Sequence, residues 1–137
     1  MVLKFSTRVY CDKQRKTWFM VYVFCTKALM REFVRQTWMK TGKFDAICVH
    51  AIHWKDGVKT GKTGFVAFYN MGCRMGVVAH EFVHAALYSL LGEKSSLRVS
   101  KKDFSKFDEE LAWRAGYMTA QFWTAWRRHA TWKKKKR

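Results

Sequence analysis

Proline is absent from these 137 residues, and no Gly/Ser-rich stretch divides them. Nothing therefore marks a linker, and the length suits one domain and not comfortably two. Acid is scarce: 10 Asp+Glu stand against 27 Lys+Arg, a formal net charge of +17. Long apolar runs are missing as well. The longest, TWFMVYVFCT at 17–26, is too short to span a bilayer. The opening MVLKFSTRVYCDKQRK lacks the apolar core of a secretory signal. The four cysteines, Cys11, Cys25, Cys48 and Cys73, form no C-x-x-C pair and match no zinc-ribbon spacing. Three of them lie in apolar runs, where a thiol behaves as a small buried hydrophobe. Together these absences predict a cytoplasmic protein with reduced thiols and no membrane partner.

What is present is a core and an excess of base. Hydrophobic residues make up 49% of the chain and aromatics 17%, enough to exclude wholesale disorder. Residues 127–137 hold seven basic residues and no acid, yet removing them still leaves +10 on the rest. The positive charge is thus spread over the domain, which predicts attraction to nucleic acid or to acidic protein surfaces. Tail-borne contacts would come from Arg127, Arg128, Lys133, Lys134, Lys135, Lys136 and Arg137, interleaved with Trp123, Trp126 and Trp132. The competing reading packs those tryptophans on the domain and leaves the tail solvated.

Patterning predicts the order β-β-α-β-β-α-α. Residues 2–10 and 17–26 read as a strand hairpin, and 27–40 has helical apolar spacing. Residues 44–54 and 64–70 read as a second hairpin around a basic glycine-rich loop at 55–63. Residues 71–92 are apolar nearly all round, as in a buried central helix ended by Gly92. A polar connection at 93–106 precedes a second long helix from Phe107 to about Thr131. The expected fold is α+β, a small, mostly antiparallel sheet on two long helices. Residues 1–131 form the domain and 132–137 a flexible basic tail. Gly61-Lys62-Thr63 is not a phosphate loop: Asp56 occupies the place of the required glycine, and strands flank it instead of a strand and a helix.

The first long helix carries His80-Glu81-Phe82-Val83-His84. Histidines at i and i+4 lie one turn apart on one face and can aim ring nitrogens at one point. A glutamate directly after the first sits beside such a metal, where it can take a proton from a coordinated water. Two histidines and a carboxylate inside a buried helix would be costly without partners, and zinc satisfies all three. The competing reading is a core histidine pair hydrogen-bonded to backbone or carboxylates.

A catalytic zinc needs a third protein ligand. H-E-x-x-H-x-x-G-x-x-H is excluded, because Leu87 and Leu90 stand at the last two motif positions. The next acidic cluster is Asp108-Glu109-Glu110, in DEELAWRAGYMTAQFW. Acids opening a helix are ordinarily macrodipole residues, but small residues downstream would let this helix approach the first.

With its H-E-x-x-H-A-A followed by E-x-L-A-aromatic, the chain resembles small gluzincin-type metallopeptidases over roughly residues 64–125. It is similar to short phage-type zinc proteins and to the minimal peptidase core of the ImmA/IrrE group. The resemblance implies a zincin-like fold, a zinc ion on His80, His84 and Glu109 (Glu110 being the alternative), and Glu81 as general base. It implies a peptide or protein substrate laid along a sheet edge beside the zinc, the edge of GFVAFYN being the one expected, and a setting in the cytoplasm of an infected host cell. The chain departs from the pattern in having no Asp four residues after Glu109 and no L-L-M-P ending. Candidates to stabilise an oxyanion are Tyr88, Tyr117 and His53, with His50 on the opposite strand face.

Overall fold

The computed structural model describes residues 3–38, 44–70, 74–93 and 101–135. Its elements are β1 (Leu3–Tyr10), β2 (Trp18–Phe24), α1 (Lys27–Trp38), β3 (Ala46–His50), β4 (Trp54–Lys55), β5 (Val58–Lys59), β6 (Lys62–Tyr69), α2 (Met75–Glu93) and α3 (Lys101–Lys135). The class is α+β, with three helices and a small mixed sheet.

Four strands lie in the order β1-β2-β6-β3. β1 and β2 form the expected antiparallel hairpin, and β3 pairs antiparallel with β6. Between them β2 and β6 run parallel. α1 packs on one face of the sheet over Phe24, Val49, Phe65 and Ala67. α2 and α3 cover the other face, over Val9, Phe19, Val21, Val66 and Phe68. β6 is therefore buried on both faces, which explains its unbroken apolar run. Thr26 caps α1, its Oγ1 accepting from the Leu29 N–H at 3.2 Å.

Several expectations are corrected. GFVAFYN offers no free edge, since β6 is paired on both sides; the edge strands are β1 and β3. The loop at 55–63 contains the β4-β5 hairpin, turned at Asp56 and Gly57 with φ of 53° and 77°. α2 continues through Gly92 to Glu93. It is not buried all round: Val78, Phe82, Ala85, Ala86 and Leu90 face the core, while Met75 and Val83 are 78% and 45% exposed. α3 starts at Lys101, so Asp108-Glu109-Glu110 stands two turns inside the helix and not in its first turn. Its backbone stays helical to Lys135, through most of the expected tail. The predicted helix stop at 41–43, Cys73, Lys136 and Arg137 lie outside the described residues, as do the side chains of Trp132 and Lys133–Lys135.

α3 packs on the other sheet edge, β1, through Trp126 and His129 against Phe5, and is hydrogen-bonded to it through Gln121. Gln121 accepts from the Tyr10 N–H at 2.9 Å and donates to the Tyr10 carbonyl at 2.8 Å. α3 also meets α2 through Arg114, which is buried, donates to Ser89 Oγ at 3.1 Å and lies 3.6 Å from an Asp12 carboxylate oxygen. Among the described residues no helix is long and apolar enough to cross a membrane.

Candidate metal centre

Helical spacing puts His80 and His84 one above the other on the exposed side of α2. Their Nε2 atoms are 3.1 Å apart, with ring centroids at 4.8 Å and planes at 76°. Two imidazole nitrogens on one tetrahedral zinc, each at ~2.0–2.1 Å, lie ~3.3 Å apart. The pair therefore has the spacing of two donors to one ion. At that distance the nitrogens are also within hydrogen-bond reach, with donor and acceptor set by the tautomers.

Glu81 is next in sequence and is buried where the two histidines are exposed. It is 8% exposed, and the Cys48 backbone N–H on β3 lies on the side of its carboxylate. Burial raises its proton affinity above the ordinary glutamate range, while the charges of His80 and His84 and the Cys48 N–H pull it back down. A carboxylate that holds a proton more readily than usual, one residue from a donor pair, suits proton transfer at that pair. Burial also pushes the Cys48 thiol far up, with Glu81 adding to the shift, so this thiol stays neutral. Cys11, Cys25 and Cys48 carry free thiols.

A ladder of rings extends the histidine pair towards β3. The Tyr88 ring centroid lies 6.4 Å from that of His84, and Tyr88 stacks on His50 at 5.1 Å and 10°. Tyr88 and His50 are thus on the side of the pair. His53 lies after the end of β3, lining a cavity with Tyr22 and Phe33 over the α1 face. Tyr117 faces the far side of α3, stacked on Trp113 at 5.1 Å and 12°. Neither joins the histidines.

Glu109 and Glu110 do not join them either. Contacts between Ser89 and Arg114 and between Phe82 and Phe122 fix α2 and α3 as antiparallel. This register sets both glutamates, which are exposed, level with the C-terminal end of α2. That is ~14 Å of helix beyond His84 at ~1.5 Å per residue. Among the described residues no three His, Cys, Asp or Glu side chains converge as a metal site. The structure brings together His80, His84 and Glu81, adds Tyr88 and His50 beside them, and contributes the Cys48 N–H. That last donor is a backbone group, and only the pairing of the strands makes β3 the strand that supplies it. Of the polyanion-contact residues, Arg127 and Arg128 are exposed on α3.

No protein-family model, curated protein or solved structure matches the chain.

Proposed function

We propose that the protein is a zinc-dependent hydrolase of the metallopeptidase type, acting on a peptide or amide carbonyl. The observation that carries this reading is the 3.1 Å separation of the His80 and His84 Nε2 atoms, together with the buried Glu81 between them in sequence. His80 and His84 would hold the ion. A bound zinc supplies a Lewis acid for the carbonyl and lowers the pKa of water at its open position. Glu81 would take the proton from the attacking water and pass it to the leaving amine, with the Cys48 N–H on the side of its carboxylate. Tyr88 stands beside His84, where its hydroxyl can turn toward a developing oxyanion. An extended peptide would lie along β3, the sheet edge beside α2. This arrangement supports the resemblance to gluzincin-type and ImmA/IrrE-type domains, with β3 in the role expected of GFVAFYN. The reading rests on two histidine donors, because Glu109 stands away from them.

Metal analysis of the purified protein tests it. The parent should take up one zinc per chain and His80→Ala none. Glu81→Gln should keep the zinc and lose hydrolysis of a peptide mixture. A parent that binds no zinc on titration sinks the proposal. The net charge of +17 favours a second reading, a basic nucleic-acid-associated or host-factor-binding protein whose metal is structural. Under that reading Glu81→Gln keeps full function.

A further inference from the structure

An open groove of about 400 Å³ runs between β1 and α3, across the molecule from the histidine pair. Three exposed arginines line it, Arg8, Arg15 and Arg128, with Tyr10, Tyr117 and Gln121, and none of its lining residues is acidic. Among the described residues none of these arginines forms an ion pair with a carboxylate. Two of them are already set in place by rings. The Arg8 guanidinium lies 4.1 Å over Trp18, and that of Arg15 lies 5.2 Å over Tyr10. A guanidinium stacked on a ring keeps its in-plane N–H donors free for a forked contact to an anion, and less side-chain freedom is lost on binding. The aromatic surface continues along α3, where Tyr117 stacks on Trp113, with Lys13 5.7 Å from the Trp113 ring.

Base without acid asks for a polyanion. Rings interleaved with the base ask for an anion that also carries flat apolar faces. A duplex hides its base faces in the stack, whereas a single strand exposes them. We infer that this groove binds single-stranded nucleic acid, with phosphates on Arg8, Arg15 and Arg128 and bases against Tyr10 and Tyr117. Stacking and phosphate contacts do not depend on the sugar 2′ position, so DNA and RNA strands fit alike. The site stands independently of the metal centre, and no lysine of the tail is among the residues named as lining it.

Fluorescence anisotropy with a labelled twelve-residue oligo(dT) tests this on the full chain. The parent should bind the single strand more tightly than a duplex of equal length. An Arg8→Ala/Arg15→Ala/Arg128→Ala variant should flatten the plot of log affinity against log salt by about 2, since each phosphate contact on a single strand contributes ~0.7. Tyr117→Ala should weaken binding about tenfold, the order expected for one lost stacking platform. Neutralising Lys133 to Lys136 should change affinity less than the triple arginine variant does. Preference for the duplex, or binding that vanishes with the tail lysines and survives the arginine changes, overturns the inference. Should the triple variant not fold, ultraviolet cross-linking of a 4-thiothymidine oligomer to the parent decides. Adducts on peptides containing Tyr10 or Tyr117 support the groove, and adducts confined to the C-terminal peptide overturn it.

Discussion

The Glu81 carboxylate faces the backbone N–H of Cys48, with the histidine-bearing helix set beside the edge strand β3. A side chain that might have faced water with His80 is turned inward instead. Position and proton affinity of the carboxylate are thereby set by the same contact and the same burial.

Glu81→Gln should stabilise the metal-free protein at neutral pH. The folded state raises this carboxyl's pKa through burial, so between the unfolded and folded values the folded chain holds more protons than the unfolded one. Stability then falls as pH rises through that window, and below it the two states are equally protonated. Gln keeps the acceptor for Cys48 and removes the ionisation. Thermal melts of both proteins in chelator across the acid-to-neutral range should separate as pH rises and coincide at the acid end. Parallel curves at every pH would show that burial of Glu81 has no such cost.

Loss of either histidine should weaken zinc binding at least 100-fold, because a lone imidazole is left to hold the ion. Glu109→Ala and Glu110→Ala should leave affinity within about twofold of the parent, given their place opposite the far end of α2. Competition against a chromophoric chelator measures all four. A large loss in Glu109→Ala would mean that the N-terminal half of α3 moves to the ion.

Arg114→Ala should cost about 3 kcal/mol, the usual scale for removing one partner of a buried charge pair. Arg114 is 8% exposed; its loss takes the guanidinium away from Asp12, which keeps the Gln14 N–H, and removes the donor to Ser89 Oγ. Urea denaturation checks the size. Arg114→Met, which keeps the length of the side chain and loses the charge, should cost nearly as much if the pairing with Asp12 and Ser89 is what matters.

Gly64→Ala should destabilise the sheet by about 2 kcal/mol or more, as overpacking against a backbone does. A Cβ on Gly64 would run into the Val49 carbonyl oxygen on β3 and press on the Phe19 ring. Neither the carbonyl nor a fully buried ring can step aside cheaply. Because β3 runs beside Glu81, the proposed hydrolysis should weaken along with stability. A melt unchanged from the parent would show that β3 yields more freely than its pairing implies.

The sequence made some of this legible and hid the rest for identifiable reasons. The i, i+4 spacing of His80 and His84 was enough to put them on one face, and the apolar run of 64–70 enough to mark a strand. The run could not say that β6 has neighbours on both sides, because pairing partners are distant in sequence. α2 gave no orientation, since a helix apolar all round has no periodic face. Contacts to Phe68 and Phe122 choose which side is buried, and they leave Val83 and both histidines outside. The early start of α3 was hidden in Lys101-Lys102-Asp103, which has helix-compatible residues but no apolar period. The β4-β5 hairpin did carry a signal: Asp56-Gly57 is the dipeptide a tight two-residue turn requires, and the density of lysines around it obscured the point.

The Gln121 amide grips both backbone groups of Tyr10, and so it imitates one rung of a neighbouring strand. A second chain sliding up to β1 in register would find that rung taken and a helix in its path. Open-ended growth of sheets, copy upon copy, needs two usable margins on every molecule. With the Tyr10 rung of β1 occupied, growth through that margin is stopped, and assembly cannot run on copy upon copy.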